Sequence, residues 1–359
     1  MNKREPLIRV VGRAERVGKQ RVLLTVGAIV LALAFGAVFL LIMGYNPLQV
    51  YATILSGAFR SKLAREGTVK VMIPLVISTL GVTLAFKMRF WNIGAEGQII
   101  MGAAFASYFA LYCAHWNHWV LILVMFLAGA IGGGLWGLIA AAFKIRWGTN
   151  ETLLTLMMNY IAQHIVSYLR DGPWKDPEAA GFSKIARFDS NAALDKVLGV
   201  HFGWIIAIVL AVIVFVYLKY TKQGYEISVV GESHETARYA GMNIKKITLR
   251  TMFLSGAVCG ICGMVQATGA DVTLTTNVAG GVGFTAIIIA WLGNLNPFIS
   301  MGIAGAFSIL EKGSTVVQSS YGLSADCADV LQGIILFFVV ASEFFVRYRF
   351  VLRNHKEAK

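Results

Sequence analysis

Charge is what this sequence has least of. Only 14% of its 359 residues are Asp, Glu, Lys or Arg, against about a quarter in ordinary soluble domains. That shortage excludes a soluble globular class. Acids are the scarcer sign, 19 against 32 Lys and Arg, leaving a net charge of +13. The basic residues cluster beside apolar runs, as membrane topology requires, so no nucleic-acid partner is expected. Cysteine is nearly absent, with four in all: Cys113, Cys259, Cys262 and Cys327. Cys259 and Cys262 have the spacing of a redox or metal pair, but no second pair or nearby His joins them. Small residues packing a membrane helix explain them better. There is no Gly-x-x-x-x-Gly-Lys-Ser/Thr loop, no His-Glu-x-x-His and no Gly-x-Ser-x-Gly anywhere. ATP binding through such a loop and the two matching hydrolase classes are therefore excluded. Nor is there the chain of intramembrane acids that a proton pump needs.

Hydrocarbon is what remains. Hydrophobic residues make up 57% of the chain and mean hydropathy is +0.66. Ten apolar runs approach the roughly 20 residues that cross a bilayer as helix: about 22–43, 69–87, 98–114, 119–143, 152–169, 203–219, 251–270, 281–295, 298–312 and 327–346. The fold class is an all-α polytopic membrane protein of about ten transmembrane helices. Residues 1–21 form a basic N-terminal segment, 22–346 the transmembrane domain and 347–359 a basic tail. The run from Val22 to Met43 is too long for a signal-peptide core and is read as a retained first span. Alternation places 22 of the 32 Lys and Arg on the N-terminal side, so both ends are expected in the cytoplasm. Two groups of five spans suit an inverted repeat, although no residue-level repeat is visible. The eighth and ninth runs are short, meet at Asn294-Leu295-Asn296-Pro297, and read as half-helices. His115 and His118 flank Trp116 beside Trp119, the composition of an interfacial aromatic belt.

One stretch breaks the pattern. Phe90-Trp91-Asn92-Ile93-Gly94-Ala95-Glu96-Gly97-Gln98 puts glycines, amides and a carboxylate between two apolar runs. Irregular backbone at membrane depth survives only against protein or a wet cavity. The stretch is either a re-entrant element bordering a polar path or an ordinary cytoplasmic turn. A second feature is the polar stripe of span 152–169. Thr152, Thr155, Asn159, Gln163 and Ser167 recur every three or four residues and share a helical face. That face reads either as a wetted path for a small neutral polar solute or as interhelical hydrogen bonding. Just before it, Thr149-Asn150-Glu151 reads as a capped helix start.

The loops are less informative. Residues 170–202 form the longest external loop, polar and too short for a catalytic domain. In the cytoplasmic loop 219–250, Ser233 caps a short helix from His234 to Ala240, which Gly241 ends. Glu235 can pair with Arg238 and face Tyr239 across one turn. Glu343 lies four residues before Arg347, an ion-pair spacing. Glycines at 129, 133 and 137, and at 256 and 260, permit close helix approach and say bundle, not function.

Four blocks together resemble the permease subunits of bacterial ABC importers for simple sugars, branched-chain amino acids and nucleosides, with the nucleoside branch most similar. They are Asn92 to Gln98, Thr149 to Ala162, Val230 to Met242 and Gly283 to Pro297. At Thr285 the resemblance leads one to expect an acid, a departure that bears on the exact solute. The resemblance implies a multi-pass protein of the bacterial cell membrane that is not itself an enzyme. It implies no cofactor on this chain, with ATP bound by partner subunits. Expected partners are an ATP-binding cassette ATPase, a second permease chain, most simply in a heterodimer, and a substrate-binding lipoprotein. Asn92, Glu96, Gln98, Thr155, Asn159 and Gln163 are the candidates for the substrate path. Glu232, Glu235, Arg238, Tyr239 and Gly241 are the candidates for ATPase coupling. Trp91, Phe284 and Trp291 could stack on a nucleobase, although packing is the simpler fate. Sugar import by the same group, and an ion-coupled secondary transporter, are the alternatives.

Overall fold

The computed structural model describes residues 8–12, 18–322, seven helical positions between 330 and 341, and 348–352. Most of the run 327–346, with Cys327, Glu343 and Arg347, lies outside the described residues. Helix dominates, and two units are distinguished: residues 1–58 with 310–359, and residues 59–309.

In the first unit, α1 (Gly18–Ile42) and α2 (Pro47–Phe59) meet at a bend of 115°. Gly44 takes φ +83° at the turn, and the Asn46 side chain accepts from Leu48 N at 3.0 Å. Asn at the cap and Pro at the first helical position are strong start signals. The α2 helix was nevertheless absent from the expected spans, because its 13 residues fall short of a crossing length. Leu40, Val50, Ile54, Val317 and Leu331 form the core of this unit. Two short strands, β1 (Ile8–Gly12) and β2 (Tyr348–Leu352), pair antiparallel. They set the N- and C-terminal segments side by side, a small departure from a purely helical fold.

The second unit holds α3 (Lys62–Lys87), α4 (Ala95–Tyr112), α5 (His118–Trp147) and α6 (Glu151–Asp171). After the external loop come α7 (Gly203–Tyr220), α8 (Lys222–Glu232), α9 (His234–Tyr239), α10 (Ile244–Val265) and α11 (Val282–Leu292). Helix α12 (Pro297–Tyr321) starts here and runs on into the first unit. Among the described residues four helices are long and apolar enough to cross a membrane, or up to five if the bent pair is one span. Nine of the ten expected runs lie in helices.

The ninth was expected as a half-helix ending near 312. It instead continues through Glu311 and Lys312 to Tyr321. Local polarity lowers hydropathy but does not break a helix unless Gly or Pro intervenes at a point of strain. The eighth is short: α11 has 11 residues, about 16 Å of rise, roughly half a bilayer core.

Glycine decides the packing at the centre. Helix α10 packs against α3, α4 and α5. A Cβ at Gly133 would run into the Gly256 carbonyl, and one at Gly260 into that of Gly129. The α5 and α10 backbones therefore touch directly. On the α3 side the Cys262 thiol donates to Pro74 O at 3.4 Å, and Cys259 lies 3.9 Å from Ser78 O. Both cysteines serve helix packing. At the end of α10 the helix loosens into a π turn, Gln266–Asp271. The external loop adds a two-residue hairpin, Lys196–Val197 with Val200–His201.

Candidate substrate path and coupling site

Everything at the site hangs on how the break between α3 and α4 is satisfied. Helix α3 ends at Lys87, Arg89 turns through φ +56°, and α4 begins at Ala95 with Gly94 as a cap that has no side chain to offer. Buried backbone must find partners, and they come from three directions. Asn92, fully buried, accepts from Gly94 N at 3.0 Å. Its amide and that of Gln98 exchange hydrogen bonds at 3.2 and 3.3 Å. From α6, Thr155 Oγ1 accepts from Ile93 N at 3.2 Å. Asn159 Oδ1 accepts from Gly97 N at 2.9 Å, while its Nδ2 donates to Ile93 O at 3.0 Å. From α10, Ser255 Oγ donates to Gly81 O at 2.7 Å and lies 3.5 Å from Asn92 Nδ2. Gly97 is small for a reason: a Cβ there would stand 2.9 Å from Asn159 Oδ1.

Glu96 faces the other way. Its Oε1 accepts from Gly281 N at 2.7 Å and its Oε2 from Gly283 N at 2.8 Å. Gly281 is the cap of α11 and has no side chain to cap with. The carboxylate of α4 therefore caps α11 in trans, where the N-terminal end of a helix favours negative charge. Farther along, Trp291 of α11 packs with Phe86 and Trp91, ring centroids 5.6–5.7 Å apart. Trp91 is half-exposed in that trio and Phe284 is exposed.

The polar stripe of α6 divides. Thr155 and Asn159 are buried in hydrogen bonds to the 93–97 backbone, an interhelical contact. Gln163 is exposed, next to the exposed His164, Tyr160 and Tyr168. A step of four residues overshoots a helical turn by about 40°, so the stripe rotates away from α4 between Thr155 and Gln163. Gln163 and His164 lie near the middle of this 21-residue helix. Helices α5 and α7 are different: between aromatic residues at their ends (Trp119, Phe143 and Trp147; Tyr220), their exposed large side chains at 120, 123, 127, 131, 135 and 139, and at 208, 209, 212, 213 and 216, are all Val, Leu or Ile. Faces of that composition suit hydrocarbon. A Gln and a His at mid-membrane depth would be costly there.

At the far end of α7, the expected short helix is present as α9. Ser233 Oγ accepts from Thr236 N at 3.2 Å, and Gly241 closes the helix at φ +72°. Glu232, Glu235, Arg238 and Tyr239 are all exposed, Tyr239 at 89%. No ion pair joins Glu235 to Arg238 among the described residues. Ala237 alone of α9 is buried and pins it to the bundle. What sequence reading missed here is α8, which a Thr221 cap accepting from Gly224 N could have revealed.

Long apolar helices around a broken one, with one uncovered polar helix and an exposed charged helix at one end, define a multi-pass membrane transport component. The chain belongs to the family described as branched-chain amino acid transport system / permease component, which matches residues 65–340. It is 31% identical over 332 residues to the glucose ABC transporter permease protein TsgB13 of Haloferax volcanii, covering 89% of this chain and 87% of that one. It is 30% identical to the guanosine ABC transporter permease protein NupP of Bacillus subtilis, covering 89% and 93%. The nucleoside ABC transporter permease protein NupB of Lactococcus lactis is 27% identical, covering 89% and 91%. The chain is thus an ABC transporter permease of the cell membrane, and no catalytic activity is indicated for such subunits. The ion-coupled alternative falls with that assignment.

Proposed function

We propose that this chain forms one side of a pathway for importing nucleosides, driven by ATPase chains bound at α9. The observation that carries the reading is the uncovered face of α6, where Tyr160, Gln163 and His164 stand exposed beside Met157 and Ile161, while the exposed large side chains along the middle of α5 and α7 are aliphatic. Amide, imidazole and phenol groups in a bilayer need water or a partner chain. Between two permease chains they would form a hydrogen-bonding wall suited to a small uncharged solute. Behind that wall Thr155 and Asn159 join α6 to the Asn92–Gln98 segment, which the Asn92 and Gln98 amides hold together and Glu96 ties to α11. The broken segment then moves as a packed body when access alternates between the two sides. A substrate-binding lipoprotein would deliver solute to the outer face.

Two of the relatives above carry nucleoside or guanosine in their names, which favours that cargo. The relative named for glucose supports sugar as the second reading. Competition uptake decides between them. The complete transporter, reconstituted in proteoliposomes with ATP, should take up radiolabelled guanosine and be blocked by unlabelled nucleosides but not by glucose. Glucose uptake that nucleosides leave untouched would overturn the nucleoside assignment.

A further inference from the structure

The seam between α8 and α3 is tighter than any side chain would permit. Gly231, next to last in α8, is buried, and a Cβ built on it would overlap the Lys87 carbonyl oxygen. That Cβ would also lie 3.2 Å from the Lys87 carbonyl carbon and 3.3 Å from Met88 Cα. The last turn of α8 thus rests backbone against backbone on the end of α3. Nothing about helix geometry asks for glycine there, since alanine is the better helix former. Space is what asks for it.

The position of this contact in the chain gives it meaning. Two residues after Gly231, Ser233 caps α9, the exposed charged helix. Three residues after Met88, Trp91 leads into the Asn92–Gln98 network. Helix α8 is also held to α10 by Arg250 Nη2, 2.9 Å from Glu226 Oε2, both part-buried. A displacement of α9 therefore has little flexible material to dissipate in before it reaches the α3–α4 break. Packed interiors transmit such shifts because they resist compression.

We propose that Gly231 is the positioning residue through which movement of α9 is delivered to the Asn92–Gln98 segment. The inference rests on the reading of α9 as the ATPase contact. A side chain at 231 would hold α8 off Lys87 and replace a rigid seam with a longer, softer one. ATPase binding would survive, and its effect on the broken helix would not.

The test compares Gly231→Ala and Gly231→Val with wild type, and with Ser228→Ala as a control on the same helix. Each is purified as the whole transporter and trapped with ATP and vanadate, and amide exchange is read at residues 90–98. Wild type and Ser228→Ala should show a change in exchange on trapping. Both Gly231 variants should keep the co-purifying ATPase and lose at least tenfold of that change. Coupled exchange as in wild type in Gly231→Ala would overturn the proposal, even if Gly231→Val fails to assemble. Arg238→Glu tests the underlying reading separately. If that variant retains its ATPase and its response to trapping, α9 is not the contact, whatever Gly231 does.

Discussion

Replacing Glu96 with glutamine removes one acceptor oxygen and the charge while keeping the shape of the side chain. In the native chain both oxygens are engaged, at 2.7 Å to Gly281 N and 2.8 Å to Gly283 N. A hydrogen bond to a charged group contributes about 1.5–3 kcal/mol net. Glu96→Gln should therefore destabilise the start of α11 by about that amount, and Glu96→Ala by roughly twice as much. Every 1.4 kcal/mol is about tenfold in an equilibrium, so opening at α11 should rise roughly 10- to 150-fold in the glutamine variant. Hydrogen exchange of the Gly281 and Gly283 amides, read by mass spectrometry on peptides covering 278–285 in nanodiscs, measures it directly. Glu151→Gln, which loosens the separate 2.6 Å contact with Lys144, is the control and should leave those peptides unchanged. Native exchange at both glycines in Glu96→Gln and Glu96→Ala would refute the claim that one carboxylate caps α11 in trans.

Asn159→Ala leaves Gly97 N and Ile93 O without their α6 partners. It should lower stability by about 2–6 kcal/mol, since each of the two buried unsatisfied groups costs about 1–3. An unchanged melting temperature would contradict the network. Gly260→Val places a side chain against the Gly129 carbonyl, and overpacking of this kind costs about 1–3 kcal/mol or more. Loss of a monodisperse peak in size-exclusion chromatography is the expected sign. His201, 1% exposed and with neither ring nitrogen hydrogen-bonded, has its pKa lowered to about 4, chiefly by burial and then by Lys70. The unfolded chain takes up the proton first, near pH 6.5, so stability falls as pH drops from there towards 4, by about 3 kcal/mol in all. His201→Leu should flatten the melting temperature across that range; an acid dependence equal to that of wild type would remove His201 as its source.

Much of this was written locally and could be read. Ser233 and Gly241 bracket α9 because capping and positive φ are properties of a few adjacent residues. The glycines of α5 and α10 announced a close crossing by their spacing alone. The break at Asn92–Gln98 was visible because glycine, amide and acid interrupt hydrocarbon. Its partners were not. Glu96 and Gly281 are 185 residues apart, and nothing near either position names the other. The polar stripe of α6 was legible as a stripe, but its division into a buried half and an exposed half depends on where α4 ends its contact. That boundary is tertiary. Helix α12 outran its expected end because hydropathy measures the solvent a helix prefers, not whether its backbone continues.

The central claim is that the Gln163 face of α6 is wet and changes sides during transport. With Cys113 and Cys327 replaced, Gln163→Cys should react with a membrane-impermeant maleimide, and the side from which it reacts should switch when the transporter is trapped with ATP and vanadate. Ile213→Cys, on the aliphatic face of α7, should stay unreactive throughout. A Gln163→Cys as inert as Ile213→Cys in both states would contradict the account.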